Sequence, residues 1–127
     1  MRRALLVLAM LLVLGSAVLA ADAPATATAT ATVCAAVKDR ACEGAGETFA
    51  ANVGQLVCLS EVKGGKDKVV HAWFFGDKEV ASIELPIKGD RWRTWSVKRV
   101  VPTMKGGWRV EVRDAAGAVL ATAKFKV

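Results

Sequence analysis

The sequence has a single histidine and only three cysteines, and it contains none of the short motifs that announce a reaction. There is no Gly-x-Ser-x-Gly turn, no phosphate-cradling glycine loop and no His-Glu-x-x-His pair. The cysteines and His71 lack the ligand spacing of a metal site, so neither a metal nor a cofactor is expected. Three is an odd number of thiols, which limits the chain to one intramolecular bridge. No long helical period and no internal repeat runs through the chain. Together these absences argue against an enzyme and against a helical or repeat architecture.

The long apolar run that does occur stands at the N terminus. Met1-Arg2-Arg3 precedes the apolar stretch Ala4 to Leu14, and Gly15-Ser16-Ala17-Val18-Leu19-Ala20 follows. A basic start, a short apolar core and small residues at its end make a secretory signal peptide over residues 1–20, cut after Ala20. The core is short for a membrane span, which needs about 20 residues. No cysteine directly follows the small residues, so a lipoprotein anchor is not expected. The mature chain is expected to be exported, periplasmic or secreted, with no membrane span. Losing Arg2 and Arg3 lowers the net charge from +6 to +4. That moderate basicity suits acidic envelope polymers, and with no recognition module in sight nucleic acid is not an expected partner.

Export also bears on the thiols. Cys34 and Cys42 flank a short segment and are expected to pair, because oxidising compartments favour bridges. Cys58 lies in the apolar run Gln55-Leu56-Val57-Cys58-Leu59-Ser60 and reads as a buried free thiol.

Residues 21–32 read ADAPATATATAT. With no large apolar group to bury, this stretch is expected to be a flexible tether. From Val33 the pattern becomes punctuated. Val33–Val37 suits a short strand, and 38–52 is irregular, with room for one helical turn over Glu47–Asn52. Strand patterns then follow over 53–63, 68–75, 79–87, 91–99, 108–113 and 118–127, with glycine-containing turns between them. Trp108, Val110 and Val112 face one way while Arg109, Glu111 and Arg113 face the other. In the last strand Val119, Ala121, Ala123, Phe125 and Val127 share a face. Asp114-Ala115-Ala116-Gly117 is a hairpin turn. About seven short antiparallel strands predict one all-β, immunoglobulin-like sandwich domain over residues 33–127.

The stretch Gly89 to Arg99 concentrates positive charge and two of the four tryptophans. Strand alternation puts Trp92, Thr94 and Ser96 on one face and Arg91, Arg93, Trp95 and Val97 on the other. Trp73, Trp92, Trp108 and His71 are read as structural. A lone histidine between Val70 and Ala72, on the face of Trp73 and Phe75, is more often hydrogen-bonded scaffolding than a catalyst.

Four segments carry a resemblance. They are Val70-His71-Ala72-Trp73-Phe74-Phe75, Gly89-Asp90-Arg91-Trp92-Arg93-Thr94-Trp95-Ser96, Gly107-Trp108-Arg109-Val110-Glu111-Val112, and the closing Asp114-Ala115-Ala116-Gly117. In this order they resemble the bacterial domain-of-unknown-function family DUF2914, over essentially all of the chain from Val33 onward. The resemblance implies a single domain and, since the family has no established activity, leaves function open. Arg40-Ala41-Cys42 departs from the Arg-x-Pro pattern associated with that family.

Three functional readings follow. In the first, the domain is a non-catalytic binding module of the bacterial envelope. Arg91, Arg93 and Trp95 contact an acidic glycan or an envelope protein through stacking and forked hydrogen bonds, and Arg109 and Arg113 extend the patch. In the second, the same strand is scaffold only, with its arginines paired to Glu84 or Glu111 across strands. In the third, Cys58 and His71 form a thiol enzyme, which would require an accessible, activated thiol.

Overall fold

Period-two alternation organises the chain into nine strands and no helix among the described residues. The computed structural model describes residues 27–127. The signal peptide expected at 1–20 and the first part of the expected tether, 21–26, lie outside them. The strands are β1 (Thr28–Cys34), β2 (Ala36–Lys38), β3 (Ala41–Glu43), β4 (Gly54–Lys63), β5 (Lys68–Phe75), β6 (Lys78–Pro86), β7 (Arg91–Val100), β8 (Gly107–Asp114) and β9 (Val119–Lys126).

Seven of them form two facing antiparallel sheets, ordered β1-β4-β7 and β6-β5-β8-β9, while β2 and β3 make a separate hairpin. This is an immunoglobulin-like sandwich in which β6 pairs with β5 instead of lying beside β7. That choice leaves β7 at the edge of its sheet.

The core follows from the alternation. Leu56, Cys58 and Val62 of β4 meet Val69 and Trp73 of β5 and Trp108, Val110 and Val112 of β8, all buried. Trp108 lies between Phe75 and Phe125, stacked at centroid distances of 5.0 and 5.8 Å. Its ring N–H donates to the Met104 carbonyl at 3.0 Å, so the indole is buried without an orphaned donor. Turn chemistry sets the hairpins. The Asp114 carboxylate accepts from the Ala116 and Ala118 amides at 3.0 and 2.9 Å, and Gly117 takes φ +93°, a region that strains other residues.

Three expectations need correction. Residues 28–32 are not a tether: Thr28–Cys34 pairs with Val57–Lys63 along its whole length. Ala29 and Ala31 pack against the core, and buried Val33 and Cys34 anchor the strand's end. Backbone pairing and small methyl groups suffice where a neighbouring strand supplies the large side chains. The helical turn over Glu47–Asn52 does not form. Thr48 instead makes a parallel bridge to Lys126, and the Phe49 amide donates to the Lys126 carbonyl at 2.9 Å. Val119 does not face inward either. A register shift between Val112 and Arg113 leaves it exposed, and Leu120 packs beside Val62, Val69 and Val112 in its place.

Candidate functional site

β7 pairs with β4 in the register Lys63↔Arg91, Glu61↔Arg93 and Leu59↔Trp95, which puts these six residues on the outer face of the sheet. On the opposite face of β7, Ser96 and Val100 are buried, and Trp92, Thr94 and Lys98 are half-buried. Glu61 lies between the two arginines. The Arg91 Nε donates to its Oε1 at 2.6 Å and the Arg93 Nε to its Oε2 at 3.1 Å. These hydrogen bonds, Arg91 first, hold the Glu61 carboxyl below its ordinary range.

The guanidiniums remain open to solvent, with side-chain exposures of 67% for Arg91 and 43% for Arg93. Glu61 takes only the Nε of each. Of the terminal nitrogens of Arg91 and Arg93, the one with a partner among the described residues is Arg93 Nη1, which donates to the Arg40 carbonyl at 3.3 Å. Trp95 lies beside them, 39% exposed.

Arg40 comes to this face through the hairpin. Asp39 and Arg40 both take positive φ, 52° and 61°, which closes β2 onto β3 in a tight turn. The Cys34–Cys42 disulfide, with Cα atoms 5.7 Å apart, ties β3 to the end of β1. Bridges of this kind form and persist mainly in oxidising compartments. Arg40, Lys88, Arg91, Arg93 and Trp95 line a cleft of about 610 Å³, together with Pro86, Trp92 and Thr94. Four cations around two indoles favour an anionic group with a flat or apolar neighbour.

Arg109 and Arg113 do not join this patch. β8 belongs to the other sheet, so both side chains stand on the opposite outer face. There they bind Glu111 at 2.8 and 2.6 Å, which lowers that carboxyl's pKa. Arg109 lies over the Phe74 ring at 3.8 Å and Arg113 at 5.6 Å. Glu84 binds Lys68, at 2.6 Å, so the cross-strand partner of the β7 arginines is neither of the two glutamates expected.

The sandwich interior holds one polar chain. His71 on β5 places Nδ1 2.6 Å from Ser96 Oγ and Nε2 2.7 Å from Ser60 Oγ, and the Trp73 N–H donates to Ser96 Oγ at 3.0 Å. All four residues are buried. A neutral imidazole accepts through one nitrogen and donates through the other, which fits a single direction from Trp73 through Ser96 and His71 to Ser60. Burial pushes the His71 pKa down to about 4. Burial likewise pushes the Cys58 thiol up to about 12. Both ring nitrogens of His71 are therefore held by serines, and the thiol beside them is protonated and enclosed.

Sequence reasoning found Arg91, Arg93 and Trp95 on one face but missed Glu61, Arg40 and Lys88. Glu61 stands at an outward position of β4, yet its partners depend on the β4–β7 register, which no local pattern contains. Ser60 and Ser96 were open to detection, as small polar residues at inward positions of apolar strands.

Among the described residues no helix is long and apolar enough to cross a membrane. No curated protein matches the chain. Residues 66–127 match the model of a family described as Protein of unknown function (DUF2914), the family that the tryptophan motifs resemble. The match spans β5 to β9 and so includes the arginine strand, while β1, the hairpin and Glu61 lie before it.

Proposed function

We propose that this DUF2914-matching chain is a non-catalytic, exported binding module of the bacterial envelope whose β7 face holds an acidic partner. The observation that carries the reading is the pair of solvent-open guanidiniums at Arg91 and Arg93, held side by side through Nε by Glu61. Both side chains line the cleft that Arg40, Lys88 and Trp95 also line. Glu61 acts as a strut. It fixes the two forks through Nε and leaves both terminal nitrogens of Arg91 and the Nη2 of Arg93 for a carboxylate or phosphate. The disulfide supports export, because such bridges persist outside the reducing cytosol. A thiol enzyme draws no support from a protonated, enclosed Cys58 and a histidine with both nitrogens occupied.

One observation favours the scaffold reading: the Arg–Glu61–Arg bonds do cross from β7 to β4. Exposed ion pairs of this kind contribute about 0–1 kcal/mol, too little to account for a strand so rich in cations. Arg91→Ala/Arg93→Ala separates the two readings in one preparation. Binding to acidic glycans and capture of partners from an envelope extract should fall while the melting temperature moves little. Unchanged binding with a large drop in melting temperature would hand the strand to the scaffold reading.

A further inference from the structure

The sheet β1-β4-β7 ends at β7, and one backbone bond sets the phase of its ladder. The Gly64 amide donates to the Asp90 carbonyl at 2.8 Å, one step beyond the Lys63↔Arg91 pair. In an antiparallel pair, successive residues turn their N–H and C=O alternately toward and away from the partner. The even-numbered residues from Trp92 to Val100 therefore bond to β4. Arg91, Arg93, Trp95, Val97 and Arg99 turn theirs to the open edge. The Arg99 carbonyl agrees with this phase, since it accepts from the neighbouring Lys98 Nζ at 2.8 Å and not from β4.

The cleft described above follows this edge. Its lining takes in Trp92 and Thr94, which point toward the sandwich interior, together with Arg91, Arg93 and Trp95, which point away from it. A hollow touching both faces of one strand runs along that strand's rim. β7 also carries Arg91, Arg93, Lys98 and Arg99 and no carboxylate.

We propose that the open edge of β7 receives an extended acidic peptide as an added strand. The proposal rests on the reading that this face binds an acidic partner, and it names that partner's form. Backbone pairing with the outward N–H and C=O groups supplies affinity, and alternate side chains supply specificity. Side chains directly opposite across a new strand pair sit about 5 Å apart. Carboxylates opposite Arg91 and Arg93 reach the guanidinium nitrogens that Glu61 leaves uncommitted, and an apolar side chain opposite Trp95 covers the exposed indole. The partner motif is thus apolar-x-acidic-x-acidic, running antiparallel to β7. The same cations keep two β7 edges of separate copies from pairing with each other.

The test uses the peptide Thr-Val-Thr-Glu-Thr-Glu-Thr, a copy N-methylated on the amides that would face β7, and a sulfated oligosaccharide. Binding is measured by titration, and amide exchange is followed by NMR. In the free protein the amides of Arg91, Arg93, Trp95 and Val97 should exchange fast, while those of Trp92, Thr94 and Ser96 are protected. The peptide should bind and protect the amides of Arg91, Arg93 and Trp95, N-methylation should weaken it by about tenfold or more, and Arg91→Ala/Arg93→Ala by about tenfold. Protection of the odd-numbered amides in the free protein would overturn the proposal. Equal binding of the N-methylated copy would do the same. Oligosaccharide binding without peptide binding would keep the cationic cleft as a binding site and remove the added strand. If neither probe binds, the reading of the face as an anion site fails together with the strand.

Discussion

His71 sits at the meeting point of both sheets, and its chemistry makes the fold sensitive to acid. Its pKa is near 4 in the folded chain and near 6.5 in the unfolded one, because burial penalises the charged ring. Between those values the unfolded state holds one more proton than the folded state, so acidification favours unfolding. Stability should be constant above about pH 7, fall by up to about 3 kcal/mol as the pH drops to about 4, and lose nothing further from this group below that. Glu61 and Glu111 act in a lower window. Their carboxyls are held below the ordinary range, so their contribution is lost only once the pH falls below the ordinary carboxylate value and through the folded one. Urea melts of the wild type and His71→Gln at intervals from pH 7 to 5 isolate the histidine, and the slope should vanish in the variant. Ser96 has a sharper role than Ser60. Ser96→Ala leaves both His71 Nδ1 and the Trp73 N–H without a partner, whereas Ser60→Ala orphans only Nε2. At about 1–3 kcal/mol for each unsatisfied buried group, Ser96→Ala should cost roughly twice as much as Ser60→Ala in the same melts.

Among the elements, β1 shows where a sequence pattern misleads. Alternation of large apolar and polar side chains made β4 to β9 legible as strands, because each carries its own signal, although the face expected for β9 fails at Val119. β1 carries only Ala and Thr until Val33, and its order comes from β4, with which all seven of its residues pair. The β2–β3 hairpin was obscured for the same reason: its strands have three residues each, and the Cys34–Cys42 bridge holds it in place. The face shared by Arg91, Arg93 and Trp95 could be read from period two alone. That Arg109 and Arg113 belong to the opposite sheet could not, since sheet membership is set by pairing between distant strands. Two expectations follow at this scale. Cys34→Ser/Cys42→Ser should lower stability by about 2–3 kcal/mol, the chain-entropy value for a loop this short, as measured by chemical denaturation. Deleting the chain up to Thr32 should cost more than removing the bridge. It uncovers Ala29 and Ala31 contacts, strips the ladder from β4 and makes a core strand into an edge, and the readout is the same denaturation midpoint.

The whole molecule presents two outer faces, each bearing an Arg–Glu–Arg cluster, and the clusters differ in what lies beneath them. On the β8 face, Arg109 and Arg113 are only 29% and 32% exposed and lie over Phe74, so their planes shield an aromatic ring. On the β7 face, Arg91 and Arg93 lie over no aromatic ring among the described residues and stand open beside a cleft. The first arrangement stabilises through stacking and stem burial, and the second leaves its charge for a ligand. Paired substitutions should therefore dissociate the two properties. Arg109→Ala/Arg113→Ala should remove about 1–2 kcal/mol, which lowers the melting temperature by roughly 5–10 °C, while leaving anionic ligands bound. Arg91→Ala/Arg93→Ala should shift stability by no more than about 1 kcal/mol and weaken the same ligands about tenfold. Ionic strength gives an independent readout, because screened charges at the open face lose their attraction while the shielded ring contacts persist. Added salt should thus mimic the β7 variant in binding and leave the melting curve of the wild type in place. Equal loss of binding in both double variants would mean that affinity follows net charge alone, and the β7 face would then have no privileged role.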